Sequence, residues 1–158
     1  MRNLKPLCAA IMLLIGAVSS NAQETAPPLT EPNYKKPQLF TSLPENIKVN
    51  VDNLKVLLKS STGDAVASDL GNVSAFDFNG QVVSTASTQN NMIKSVVIRS
   101  SNYSGASLTI SQITNEDGSI SYTGRIISFN HGDLFELKQQ PDGTYAFVKK
   151  KFYDLVNE

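Results

Sequence analysis

The chain carries one histidine, His131, in the stretch "SFNHGDLFEL" (Ser128–Leu137), two residues before Asp133 and five before Glu136. An imidazole with two carboxylates could hold a metal ion or move a proton. A metal site needs three or four ligands, and tight sites draw on histidine or cysteine. Here carboxylates would have to complete the set. In a strand that follows the histidine, Asp133 and Phe135 share one face while Leu134 and Glu136 share the other, so the two acids diverge. A serine nucleophile would also depend on His131, and no Gly-x-Ser-x-Gly elbow presents one. Asn130, His131, Gly132 and Asp133 are all residues that turns recruit. They separate two apolar stretches, "GRIISF" and "LFELK". The stretch therefore reads as a turn; His131 and Asp133 are the candidate site within it, and a small hydrolase using His131, with its acid unassigned, is the enzymatic alternative.

Two further segments could recognise a partner. "KKKFYDL" places Lys149, Lys150 and Lys151 beside Phe152 and Tyr153. The lysines suit contact with an acidic surface, or equally the protection of an apolar strand edge against aggregation. "SSNYSGAS" sets Asn102 and Tyr103 among small polar residues, which resembles a recognition loop in its chemistry: adaptable hydrogen-bonding groups around an aromatic anchor. Asn72 and Asn102 each begin a glycosylation triplet, whose use is not expected in a bacterial envelope protein. No phosphate-cradling loop is present. No carboxylate pair suited to glycosidase chemistry stands out, and nothing in the spacing places Asp69 beside Asp77.

The elements that must position these residues are mostly strands. "IKVNVD" alternates apolar and polar residues, with Ile47, Val49 and Val51 on one face. Next, "DNLKVLLKSSTG" predicts a short helix near residues 53–60, capped by Asp52, with Leu54, Leu57 and Leu58 inward and Gly63 beyond its end. Three dipeptides, Asn79-Gly80, Asp117-Gly118 and Asp142-Gly143, predict two-residue hairpin turns with positive φ. They divide "SAFDF" from "QVVST", "ASLTISQITNE" from "SISYTGRIISF", and "LFELKQQP" from "TYAFV". "MIKSVVIRSS" supplies a further strand with a buried centre. The expectation is a mainly β domain of about eight short antiparallel strands, arranged as a barrel, roll or sandwich.

The front of the chain predicts a location. Arg2 and Lys5 precede an apolar run from Leu7 to Val18, followed by Ser19, Ser20, Asn21 and Ala22. This is the pattern of a cleaved secretory signal peptide over residues 1–22. The run is too short to cross a bilayer, which leaves no transmembrane segment in the mature chain. Cys8, the one cysteine, lies too early in the run to be an acylated N-terminus and would be lost with it. Disulfides, thiol catalysis and thiolate-bound zinc go with it.

Residues 23–46 hold five of the seven prolines and predict an extended arm or linker, with Leu39, Phe40 and Leu43 available to pack on the domain at 47–158. Removing Arg2 and Lys5 leaves 12 basic against 14 acidic residues, a net charge near −2. That gives no basic excess of the kind nucleic-acid binding requires. Tryptophan is absent, which disfavours sugar stacking without excluding it. The reading that follows is an exported, periplasmic or extracellular, non-enzymatic binding or structural protein without a cofactor. It would engage a protein or a cell-envelope component through loops on a rigid β scaffold. A partner or inhibitor of a secreted hydrolase, with the arm in the hydrolase's cleft, is the alternative from a different class.

Overall fold

A computed structural model describes residues 35–71, 76–88 and 90–156. The signal-peptide segment, the arm through residue 34 and the Asn72 triplet lie outside the described residues.

Eight antiparallel strands form one continuous sheet in the order β1-β8-β7-β6-β5-β4-β3-β2, curled into a half-barrel. In chain order they are β1 (Asn46–Val49), β2 (Ala65–Asp69), β3 (Asp77–Ser87), β4 (Ile93–Ser100), β5 (Ser107–Thr114), β6 (Ile120–Ile127), β7 (Asp133–Gln139) and β8 (Tyr145–Lys151). A 3₁₀ turn, Phe152–Val156, follows β8. One isolated antiparallel bridge, Val49 to Gly71, joins β1 to the chain just after β2. Curling limits the length of exposed sheet edge.

Alternation decides the two faces. Val96 and Ile98 on β4, Leu108 and Ile110 on β5, Ile126 on β6, and Phe135 and Phe147 on β7 and β8 point inward and are essentially fully buried. The hollow is filled by side chains. Helix α1 (Val51–Leu57) inserts Leu54 and Leu57, while Phe40 and Phe76 enter from the segments before β1 and β3, and Phe78 from β3 itself. The rings of Phe40, Phe76, Phe135 and Phe147 meet at centroid distances of 5.2–6.5 Å, mostly tilted or edge-on, the geometry that ring quadrupoles favour.

Helix α1 begins two residues earlier than predicted. Its cap is Asn50, whose side chain accepts from the Asp52 N–H at 2.9 Å, and Asp52 instead pairs with Lys55 in the first turn. Val51 accordingly belongs to the helix and not to β1.

The hairpin predictions separate into two kinds. At Asp117-Gly118 and Asp142-Gly143 the strands do reverse, through three-residue loops in which only the glycine has positive φ, +80° and +82°. The Gly118 N–H donates to Asn115 O and the Asn115 N–H to Ser119 O; Gly143, Gln140 and Thr144 repeat the pattern. This is a type I turn followed by a bulge glycine. Each aspartate accepts from the N–H and hydroxyl of the residue after the glycine, at 2.6–2.9 Å. Those bonds hold both carboxyls below the ordinary aspartate range, led by the side-chain bonds to Ser119 and Thr144.

At Asn79-Gly80 there is no turn. Both residues lie inside β3, which joins the two strands predicted there into one, and the unpredicted β2 "AVASD" keeps the number at eight. A Cβ at Gly80 would stand 2.2 Å from Arg99 O, and one at Gly124 2.5 Å from Thr109 O. These glycines let neighbouring backbones approach where the sheet coils. A bulge at Val83 adds to the bend of β3.

Gly80→Ala should therefore lower stability by about 2–3 kcal/mol, through displaced backbone. Gly118→Ala, with nothing near its Cβ, should lose only about 1 kcal/mol to the left-handed backbone. Urea unfolding of both variants measures this, and an equal or reversed order contradicts the role given to Gly80.

Candidate functional site

The segments singled out for their chemistry gather at one end of the half-barrel. This is the end reached by the 101–106 and 128–132 loops, the end of β8 and the residues leading into β1. Asp133 organises it. Its carboxylate is buried, 3% exposed, and accepts the Leu39 N–H at 2.6 Å and the Phe40 N–H at 2.8 Å. Around it the Gly132 N–H donates to Pro37 O, the Phe152 N–H to Gly132 O, and the Lys36 ammonium to Phe129 O. The proline-rich segment from Pro37 onward is thereby tied to the sheet, and Phe40 is 0% exposed.

His131 belongs to the turn. Its N–H donates to Ser128 O, and its Nδ1 lies 2.8 Å from Ser128 Oγ. That pairing of serine and imidazole has the composition of a nucleophile and its base, but Ser128 is fully buried and the two are three residues apart in one tight turn. Both Asp133 oxygens are occupied by backbone N–H groups. A triad needs an accessible hydroxyl and an acid aimed at the imidazole, and these residues supply neither. Glu136 points to the opposite face from Asp133, as the alternation predicted.

Asn102 stands exposed in the 101–106 loop with its side chain bonded to the sheet, while Tyr103 is half-buried. The Asn102 side chain donates to Asp77 O at 2.7 Å and accepts from the Asn79 N–H and the Ser100 hydroxyl, continuing the pairing of β3 past the end of β4. Tyr103 turns inward against Phe40, Phe76 and Phe78, at centroid distances of 5.4–6.1 Å. Burial, and after it the Asp77 charge, pushes its hydroxyl above the ordinary tyrosine range.

The lysines divide by alternation along β8. Lys149 points inward, 13% exposed, and donates to Leu43 O, pairs with Glu45 at 3.3 Å and lies over the Phe135 ring. It is a structural cation. Lys150 points outward and Lys151 is exposed at the strand end. With Gln38, Thr41, Glu45, Asp133, Lys149 and Asp154 they line a polar groove of about 370 Å³ between the incoming segment and β8. Tyr153 packs against Phe152 at 5.5 Å, near the Lys36 ammonium.

Sequence reasoning missed Phe129. It reads as part of the apolar stretch "GRIISF", yet it is 72% exposed, edge-on to Phe152 at 6.0 Å. The signal was its place inside the turn, where alternation no longer carries a side chain inward. Asp69 and Asp77, which nothing in the spacing brought together, are direct cross-strand partners on β2 and β3. Among the described residues no group of three or more His, Cys, Asp or Glu is placed to hold a metal ion, and no helix is long and apolar enough to cross a membrane.

On the outer face Glu136 is nearly buried between two cations. Arg125 Nη2 lies 3.1 Å from its Oε1, and Lys138 Nζ lies 2.9 Å from its Oε2, close enough for an ion pair though not aligned as a hydrogen bond. Burial pushes this carboxyl up, but Lys138 and Arg125 together outweigh it, and the net position is below the ordinary glutamate range.

No protein-family model matches the chain, and no curated protein or solved structure matches it. Function rests on the geometry alone.

Asp133→Ala should leave the Leu39 and Phe40 N–H groups unpaired and lower stability by about 2–4 kcal/mol, with faster amide exchange at both positions as the direct readout. For Glu136 the lowered carboxyl stabilises the fold above the ordinary glutamate range, and that contribution is lost as pH falls through the folded-state value. The stability advantage of wild type over Glu136→Gln should therefore shrink as pH is lowered from about 6 to about 3. A difference that stays constant or grows contradicts the ion-pair assignment.

Proposed function

We propose that the protein is an exported, non-enzymatic binding protein of the bacterial cell envelope, and that the end carrying Phe129, Lys150 and Lys151 is where it meets its partner. The observation that carries this reading is Phe129: a large aromatic ring, mostly in water, on a turn clamped by hydrogen bonds, at the end where β8 finishes in lysines. Exposed aromatics on rigid supports are the usual anchors of protein interfaces, because little entropy is lost in fixing them. The surrounding cations favour a partner with an acidic surface and speed the encounter. The interior supports the same reading: side chains fill the half-barrel, and the imidazole, Asp133 and Tyr103 are engaged in holding its end together. Of the arm on which the inhibitor reading depends, Phe40 and Leu43 are packed into the body, while residues 23–34 lie outside the described residues.

Phe129→Ala, and separately Lys150→Glu with Lys151→Glu, should each reduce capture of the partner from a cell-envelope extract by about tenfold. Both should leave thermal unfolding nearly unchanged, since these side chains are at the surface. Capture undiminished in both variants contradicts the assignment of this end as the interface.

A further inference from the structure

The outer face of the sheet has a character that the composition hides. Register places Arg125 opposite Glu136 on one side and Thr109 on the other, with Val97 and Val148 continuing the row. The next row carries Arg99, Ser107, Ile127, Leu134 and Lys150, and a third carries Ser95, Ser111 and Thr123. On the outward positions of β4 to β8, Arg99, Arg125, Lys138 and Lys150 face a single acid, Glu136. The whole chain is formally neutral, so this face is a local excess of positive charge. Thr109, Ser111, Thr123, Gly124, Arg125 and Ile127 line a shallow depression of about 380 Å³ within it.

We propose that this depression binds an acidic saccharide, with Arg125 receiving the carboxylate. The Thr109 and Thr123 hydroxyls can donate and accept, and Ser111, paired with Ser95 at 2.7 Å, keeps capacity for a further bond, which suits a ligand covered in hydroxyls. The threonine methyls and Ile127 offer a small apolar floor for the C–H face of a sugar ring. Arg125 is half exposed and spends one contact on Glu136, keeping further N–H donors of its planar fork for a carboxylate. Glu136 is a positioning residue. Nine-tenths buried and held from the other side by Lys138, it fixes the guanidinium in place before the ligand arrives, which lowers the ordering cost of binding. Arg99, in the same row as Ser107 and Ile127, extends the positive field along a chain of sugars. No aromatic side chain occupies the outward positions of β4 to β8, so stacking of nucleic-acid bases has no platform here.

Calorimetric titration of the full chain at low ionic strength, with oligogalacturonate, N-acetylneuraminate and N-acetylmuramate, tests this against oligogalactose as the neutral counterpart. At least one acidic sugar should bind, with oligogalactose about tenfold weaker or undetectable. Arg125→Gln should weaken that binding about tenfold, and Arg125→Lys should not restore it, because a lysine lacks the fork. Glu136→Gln should keep the fold but weaken binding several-fold. Phe129→Ala should leave it unchanged, which separates this site from the proposed protein interface. The proposal is overturned if none of the acidic sugars binds, if Arg125→Gln binds as wild type does, or if vesicles of anionic phospholipid bind the same face and the sugars do not.

Discussion

The Asp133 carboxylate is the constraint on which the rest of this structure depends. A curled sheet leaves an open end, and apolar strands around that end must be covered. The cover is an irregular segment, Pro37 to Glu45, which brings backbone N–H groups into an apolar setting where water cannot satisfy them. Asp133, at the first position of β7, accepts two of them in succession. Phe40 can then enter the hollow against Phe135 and Tyr103. The loops at this end inherit their positions from that plug: Tyr103 is turned inward by it, and the 128–132 turn is held down by Lys36 and Pro37.

Much of the sheet was legible because strand alternation and turn chemistry act locally. "IKV", "SVVI", "SLTI" and "YAF" read as strands, and both Asp-Gly dipeptides mark reversals. Asn79-Gly80 misled for a physical reason: glycine serves close approach as well as turning, and one chain cannot reveal which neighbour will press on it. β2 was missed on similar grounds. Its residues are small and half exposed, and only pairing with β3 makes them a strand. The helix began early because Asn50, as good a cap as Asp52, came first along the chain.

The candidate site was less legible, since it depends on which residues face each other across strands. His131 was read as a turn residue from its neighbours alone, and its bonds to Ser128 agree with that. Asn102 and Tyr103 looked like free polar and aromatic groups because the cavity that Tyr103 fills, and the β3 backbone that Asn102 bonds, are supplied by residues far away in sequence. Phe129 was hidden in the opposite sense, as an apolar letter in an apolar run that the turn carries into solvent. The pairing of Asp69 with Asp77 is likewise a matter of register.

Neutral composition concealed a segregation of charge, and the reason lies in what each carboxylate is used for. Asp117 and Asp142 are taken up in holding turns, Asp52 in the first turn of the helix, Asp133 in binding backbone, and Asp69 and Asp77 sit together on β2 and β3. None of these stands on the outer positions of β4 to β8. The cations there are long side chains on strands, where the same local uses do not arise, so they project from the convex face with Glu136 alone among them. Glu136 does not cancel that field: it is nearly buried, while Arg125 and Lys138 remain about half exposed. Its effect is to set the direction of a guanidinium that would otherwise be free to wander. A formal charge of zero over the chain is thus compatible with an ordered, positively charged surface. The asymmetry follows from aspartates taken up in turns, in the first turn of the helix and in binding backbone, and leaves the outer positions of β4 to β8 to arginine and lysine.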